Sequence, residues 1–544
     1  MTVTADAPAA APASESTAAA PVPTGLAAIL GSGDHKVVGR LWLVVALVQL
    51  VLVGVVNTLV SAERIDSTAF DVLGKHWIVQ ADTFRFVGLV FLFVIPLTIA
   101  VATVLVPLQV GASTLAFPRA AAAAAWTYLL GGGLMVAAYG IHGGPDGTDA
   151  KGNALFVSAF VLVLLALLIA WICIATTVVT LRTTGMRLTR VPLFAWSALV
   201  AGTVWVLTLP ALIGLAVLSY LDVRYHGILG STAASGYARI AWAFGTPAVY
   251  AMGIPVLGFV GSVIPVFFQT RHQQHRRALG LIGAFGALSV GAWAMPSLTG
   301  ATPWLYEGPW IVVSFAVLVP ILGLLGLWAL TARHGKLSFG SPVLYAAFAA
   351  LLLLLAAAAG AVQAIKPIKT TVSGAGTPLY GTAWSTGILA LVALAAATAM
   401  AGAVVYWAPK LLGRRLPEAG AGLVAVLLFL GTLVVGVADL VAGILGATAS
   451  AQFAPADHVS AIEHVFLAGT IGNGILLLAG GLFLALLLKA VTSKGAPEAD
   501  PWNGHTLEWA TASPPPIGNF SELPKITSEA PLYDARHRPE EADA

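Results

Sequence analysis

Residues 84–108 read FRFVGLVFLFVIPLTIAVATVLVPL, a run in which Arg85 is the lone charge. An α-helix rises 1.5 Å per residue, so about 20 such residues cross the ~30 Å hydrocarbon core of a bilayer. Working outward, comparable runs recur at 38–62, 120–140, 155–180, 193–220, 241–269, 278–298, 309–331, 342–364, 384–407, 421–447 and 464–491. The run at 84 has a soft start that extends toward His76. That makes twelve runs. The 544-residue chain is 58% hydrophobic and 9% charged, where globular domains carry about 25% charged residues. No water-soluble domain has polar surface enough to wrap twelve such runs. The expected fold class is therefore all-α integral membrane, a twelve-helix bundle whose first partner is the lipid bilayer. Ala and Gly are frequent within the runs, which lets helix backbones approach closely.

The formal charge of +3 argues against nucleic acid. The single cysteine, Cys173, lies inside an apolar run, which excludes an intrachain disulfide and a Cys-based metal cluster. Residues 1–33 read as a disordered Ala/Pro-rich tail, with no charged n-region, h-region and cleavage site in sequence. Residues 34–492 hold the helices, and 493–544 form a Pro-rich tail expected to be extended. Loops on the N-terminal side carry sixteen Lys and Arg, against eight on the other side. By the positive-inside rule this places both termini in the cytoplasm, expected here for a bacterial plasma membrane.

Two further stretches carry chemical information. Trp242–Tyr250 reads WAFGTPAVY and opens an apolar run with a Gly-Thr-Pro break. Taken alone, a proline there is a kink whose freed carbonyls need partners. Asp500–Phe520 reads DPWNGHTLEWATASPPPIGNF, dense in Trp and Pro. This second stretch closely resembles the signature D-P-W-x-x-x-T-L-E-W-x-x-x-S-P-P-P-x-x-N-F that follows the last helix of subunit I of the haem-copper (cytochrome c) oxidases. WAFGTPAVY resembles that family's sixth-helix motif W-x-F-G-H-P-E-V-Y. In chain order, DHKVVGRLW (34–42), LVPLQVGASTLAFPR (105–119), LSFGSPVLYA (337–346) and YWAPKLLGRR (406–415) match further family stretches. The likeness thus covers nearly everything beyond residue 34.

That resemblance implies six His ligands, for two haems and one copper, and a set of proton-carrying side chains. Counted from flanking anchors, this chain departs at every ligand. The haem-ligand positions fall on Arg85, Gly387 and Leu389, and the copper positions on Thr246, Met295 and Pro296. An always-charged guanidinium has no lone pair to give iron. The proton-route positions fall on Thr114, Ala248 and Leu324, and the Arg pair that would clamp haem propionates falls near Ala447–Ser450, where no Arg occurs. Tyr250 stands where the family has its cross-linked Tyr, and without its His it reads as structural. His272 and His275 are three apart in RHQQHRR, but Arg271, Arg276 and Arg277 would repel a cation.

One acid lies well inside a run, Asp439, costly there unless paired or protonated. Arg85 is its candidate partner, and Asp82 is a competing partner for Arg85. The expectation is a redox-inactive subunit I-like protein without bound cofactor, structural or assembly-directed, beside oxidase-type subunits such as II and III. Haem and copper return if that reading fails. Two other classes stay open: an active terminal oxidase subunit I passing electrons from cytochrome c to oxygen, and a transporter or small-molecule binding bundle that reuses the emptied haem cavity, with Asp439 as its polar handle.

Overall fold

The structure, a computed structural model, describes residues 31–65, 72–145, 147–225, 247–292, 304–365, 379, 381–449, 459–493 and 498–537. Within Gly33–Ala544 the described residues form one compact helical unit. Its long helices are α1 (His35–Glu63), α2 (Gly74–Val87) running through a π-helical turn (Gly88–Val94) into α3 (Ile95–Val110), α4 (Pro118–Gly140), α5 (Ala150–Thr180) and α6 (Leu193–Tyr225). They continue as α7 (Pro247–Phe267), α8 (His275–Ala292), α9 (Trp304–Ala316), α10 (Leu318–Arg333), α11 (Ser341–Gln363) and α12 (Ala383–Tyr406). The short α13 (Ala408–Leu412) precedes α14 (Glu418–Ile444), α15 (Val459–Thr492) and, in the tail, α16 (Pro531–His537).

Eleven membrane-length apolar helices occur among the described residues, against twelve expected. The difference lies at the predicted run 278–298. There α8 has 18 residues and begins on His275, Arg276 and Arg277, and residues 293–298 fall outside the description. The second span begins earlier than 84, at Trp77. The stretch preceding Pro247, on which the predicted kink depends, lies outside the described residues, and α7 is described from Pro247 onward.

Two spans are almost wholly enclosed by protein, Trp77–Val110 and α12. Helix α12 is built largely of Ala, Val and Gly, and it packs on α7, α11 and α14. Gly402 admits Tyr345, since a Cβ there would stand 2.4 Å from the Tyr345 Cβ. The start of α12 is pinned to the loop after α14 by Ala383 N–H to Ala447 O (2.9 Å) and Ala449 N–H to Gly381 O (3.2 Å). The π turn precedes Pro96, which can donate no N–H. The Tyr128 hydroxyl donates to the freed carbonyls, 3.0 Å from Phe91 O and 3.2 Å from Leu92 O.

The C-terminal tail packs against the face on which α1 begins, called the tail face below. The Asn519 amide donates to Ala112 O (2.7 Å), and its Oδ1 lies 3.0 Å from the His35 Nε2 and accepts from the Lys36 Nζ (3.1 Å). Buried Glu508 accepts at one oxygen from Gln109 (3.0 Å), the Trp407 indole (3.1 Å) and Thr506 (2.8 Å). Lys410, fully buried, donates to Ala499 O (2.9 Å) and Thr511 O (2.6 Å) and lies 5.3 Å from the Trp509 ring centroid.

Candidate functional site

Opposite the tail face, the ends of α1, α2 and α14 bring four charges together. Arg64, directly after α1, reaches across to Asp439 on α14 at 3.2 Å and lies over the Phe466 ring of α15 at 4.2 Å. Arg85 on α2 places its Nε 2.8 Å from Asp82, one turn earlier on the same helix. Of the two partners considered for Arg85, the structure has Asp82 and not Asp439. Asp439 takes Arg64, and Arg85 takes Asp82. The reason is local: residues three apart on a helix share a face, so Asp82 is always within reach of Arg85. Arg64, one of the eight basic residues in the loops opposite the termini, has a side chain only 5% exposed.

These groups cap a cavity between α1, the α2–π segment, α12, α14 and α15. At its polar end stand Arg64, Arg85, Asp439, Asn57, Ser61 and Asn473; below them the walls are apolar, with Leu50, Leu89, Phe93, Leu394, Val435 and Leu477. Asn473 donates to the Ser61 hydroxyl (2.7 Å), which donates to Asn57 O (2.7 Å). One terminal nitrogen on each guanidinium, Nη2 of Arg64 and of Arg85, is buried without a hydrogen-bond partner among the described residues. Asn57, Ser61 and Arg64 are spaced four and three apart, so one helical face carries all three. That spacing was the signal in the sequence that could have revealed them.

Gly387 and Leu389 lie on the α12 wall beside lining residue Ala390. Gly387 is where α12 touches α14: a Cβ there would stand 3.1 Å from Leu440 N and 3.2 Å from the Asp439 Cβ. Leu389 is buried. Haem iron takes a neutral imidazole, thiolate, thioether or phenolate, and the described lining residues include no His, Cys, Met or Tyr. The one carboxylate is engaged by Arg64. The residues present do not suit a haem iron.

The other predicted positions are scattered. Leu324 is buried on α10. Thr114, half-buried in the loop between α3 and α4, donates weakly to Leu115 O (3.4 Å). Tyr250 on α7 packs edge-on to Phe285 (6.1 Å) and projects its hydroxyl at Gly360, where a Cβ would stand only 2.2 Å away. Ala248 is on α7, with its side chain outside the description, as are Thr246, Met295 and Pro296 altogether. Ala447 and Thr448 form the loop pinned to α12.

His272 and His275 do come close, ring centroids 6.1 Å apart on the tail face, between α7 and α8. The His275 Nε2 lies 3.0 Å from Val191 O, which uses that nitrogen as a donor. Burial pushes His272 down to about 4 and His505 to about 3, the latter helped by Arg536, His537 and Arg271. Burial also pushes Glu508 up and Lys410 down to about 8.

Comparison with known proteins fits this architecture. Residues 37–475 match the family described as Cytochrome C and Quinol oxidase polypeptide I. The chain is 27% identical over 539 residues to the "Probable cytochrome c oxidase subunit 1-alpha" of Streptomyces coelicolor, covering 93% of this chain and 89% of that protein. It is 26% identical over 519 residues to the cytochrome c oxidase subunit 1 of Bacillus subtilis, covering 92% and 82%. A solved heme-copper terminal oxidase dimer shares the fold at TM-score 0.63 and 14% identity, over 93% of this chain and 88% of that one.

Proposed function

We propose, from the premise that this chain belongs to the cytochrome c and quinol oxidase polypeptide I family, that it is a redox-inactive member with a structural or assembly role in a respiratory-type complex. It sits in the bacterial cytoplasmic membrane with both termini inside, beside other oxidase-type subunits, with II and III as the first candidates. The observation that carries this reading is Arg85. At the position where the resemblance implies a haem ligand stands a cation, held by Asp82 at 2.8 Å and lining the cavity that faces α12. A guanidinium cannot ligate iron and would repel it. All six ligand positions and three proton-route positions depart together, while the tail-face motifs DHK, WAPK and TLEW keep their buried contacts.

The test is the visible spectrum and pyridine haemochrome of the purified chain, with identification of the subunits that co-purify. The expected result is no stoichiometric haem and one or more oxidase-type partners. One haem per chain, or oxygen consumption that depends on this chain, restores the active terminal oxidase in its place.

A second reading has its own support. A cavity with buried Arg and Asp side chains at one end suits a small-molecule site, with Asp439 holding Arg64 in place. Asp439→Asn should then weaken binding, and an unchanged binding signal counts against it.

A further inference from the structure

We infer that the cavity beneath Arg64 and Arg85 is a side-entry site for one membrane glycerolipid, its ester and phosphate oxygens on the free guanidinium nitrogens and one acyl chain in the apolar slot. This deepens the small-molecule reading above and rests on the cavity being free of haem.

Three features point to such an occupant. The first is polarity. The slot is amphipathic along its length, with hydrogen-bonding groups confined to the end where α1 stops. Arg64 and Arg85 both line that end, and the Nη2 of each is enclosed with no hydrogen-bond partner among the described residues. Leaving a buried donor unmade costs ~1–3 kcal/mol, so an acceptor oxygen from a ligand is favoured there.

The second feature is access. Val51, on the cavity rim, is 46% exposed, and it continues the outward-facing row Val44, Val48 and Val55 of α1. Across the gap on α15, Gly481 also lines the cavity, and a Cβ added there meets no atom within 4 Å. The site therefore opens sideways, toward the bilayer, between α1 and α15. From Arg64 to Leu50 the α1 wall runs about 21 Å at 1.5 Å per residue, more than the ~15 Å of one leaflet's hydrocarbon. The wall is long enough for one acyl chain to lie alongside it.

The third feature is charge. Arg64 and Arg85 are each already matched by a carboxylate, Asp439 and Asp82. The site needs acceptor atoms and no further net charge, so an anionic headgroup gains little over a zwitterionic one.

The experiment uses the full chain purified in mild detergent. Extracted lipid is quantified by mass spectrometry, and dioleoyl phosphatidylglycerol and dioleoyl phosphatidylcholine are then added back in native mass spectrometry. One retained glycerolipid per chain is expected, with the two headgroups within about threefold of each other. Gly481→Phe, which fills the slot, and Arg64→Gln with Arg85→Gln, which remove the donors, should each cut retention about tenfold, the equivalent of 1.4 kcal/mol. Gly474→Phe, on the same helix but outside the lining, tests tolerance to bulk and should leave retention unchanged.

No retained glycerolipid, equal retention by Gly481→Phe, a strong preference for phosphatidylglycerol, or a retained quinone in its place overturns the inference. A pyridine haemochrome on the same sample separates the two failures. Stoichiometric haem overturns the redox-inactive reading as well, whereas neither haem nor lipid overturns the lipid site alone.

Discussion

The tail face and the cavity flank are held by different means. Under the bundle, Asn519, Lys410 and one Glu508 oxygen join several segments through hydrogen bonds, while Glu508 Oε2, Gln109 Oε1 and His505 Nδ1 stay enclosed without a partner among the described residues. In the cavity flank, Arg64 and Arg85 are held by ion pairs, and each keeps an enclosed Nη2 without one. The difference is that the flank borders a cavity, where a guest can bring the missing acceptors. This contrast also accounts for which family motifs survive. TLEW, WAPK and DHK supply contacts that the fold needs with or without a cofactor, whereas iron ligands are needed only with one.

Breaking the tail face should have the largest effect. Glu508→Ala strands the Gln109, Trp407 and Thr506 donors, with an expected loss of about 3–5 kcal/mol, read from thermal unfolding in detergent; a loss under 1 kcal/mol would mean the tail is not integral to the fold. Acid should act on the same face. His272 and His505 stay neutral in the folded protein, at about 4 and about 3, while the unfolded chain takes up protons below 6.5. Their contribution is complete above that value and is lost as pH falls. Between pH 7 and pH 5 each should withdraw about 2 kcal/mol. The pH dependence of unfolding should flatten in His272→Gln and His505→Gln, and an unchanged slope in both would refute the assignment.

Perturbing the flank should cost less, because each substitution there removes one partner where Glu508→Ala strands three donors. Asp439→Asn keeps an acceptor but removes the charge opposite Arg64, for about 2–3 kcal/mol, and Asp439→Ala should cost more than Asp439→Asn. The smallest effect is expected at Gly387. An Ala Cβ there would press on the α14 backbone at 3.1–3.2 Å, for about 1 kcal/mol net of the gain in helix propensity. A stabilised Gly387→Ala would show that α12 and α14 part easily.

The span pattern was legible because burial in lipid leaves a compositional trace: 84–108 announces itself without any partner. The predicted run 278–298 is described only as far as Ala292, where α8 ends, and residues 293–298 lie outside the described residues. Side-chain partnerships were less legible. Asp439 stood out as a lone acid within an apolar run, but that its partner is Arg64 depends on how α1 leans on α14, and no sequence spacing encodes that. The Arg85–Asp82 pair is local and could be read from its i, i+3 spacing alone. On the tail face, Glu508 and Lys410 gave no sign of complete burial, since both residue types ordinarily face water.

The wide turn at Gly88–Val94 has a consequence for how this lineage can change. Each residue of a regular helix advances the azimuth by about 100°, and a π turn arises when one residue more than the regular count is accommodated. Loss of a single codon within that stretch would relax it to ordinary winding without shortening the span appreciably. Everything N-terminal to it on α2, Arg85 and Asp82 included, would then turn through about 100° relative to Pro96 and the loop beyond. Tyr128 would be left with its carbonyl acceptors withdrawn. One in-frame deletion could thus exchange the side chain presented to the cavity, a larger step in chemistry than any single substitution at Arg85.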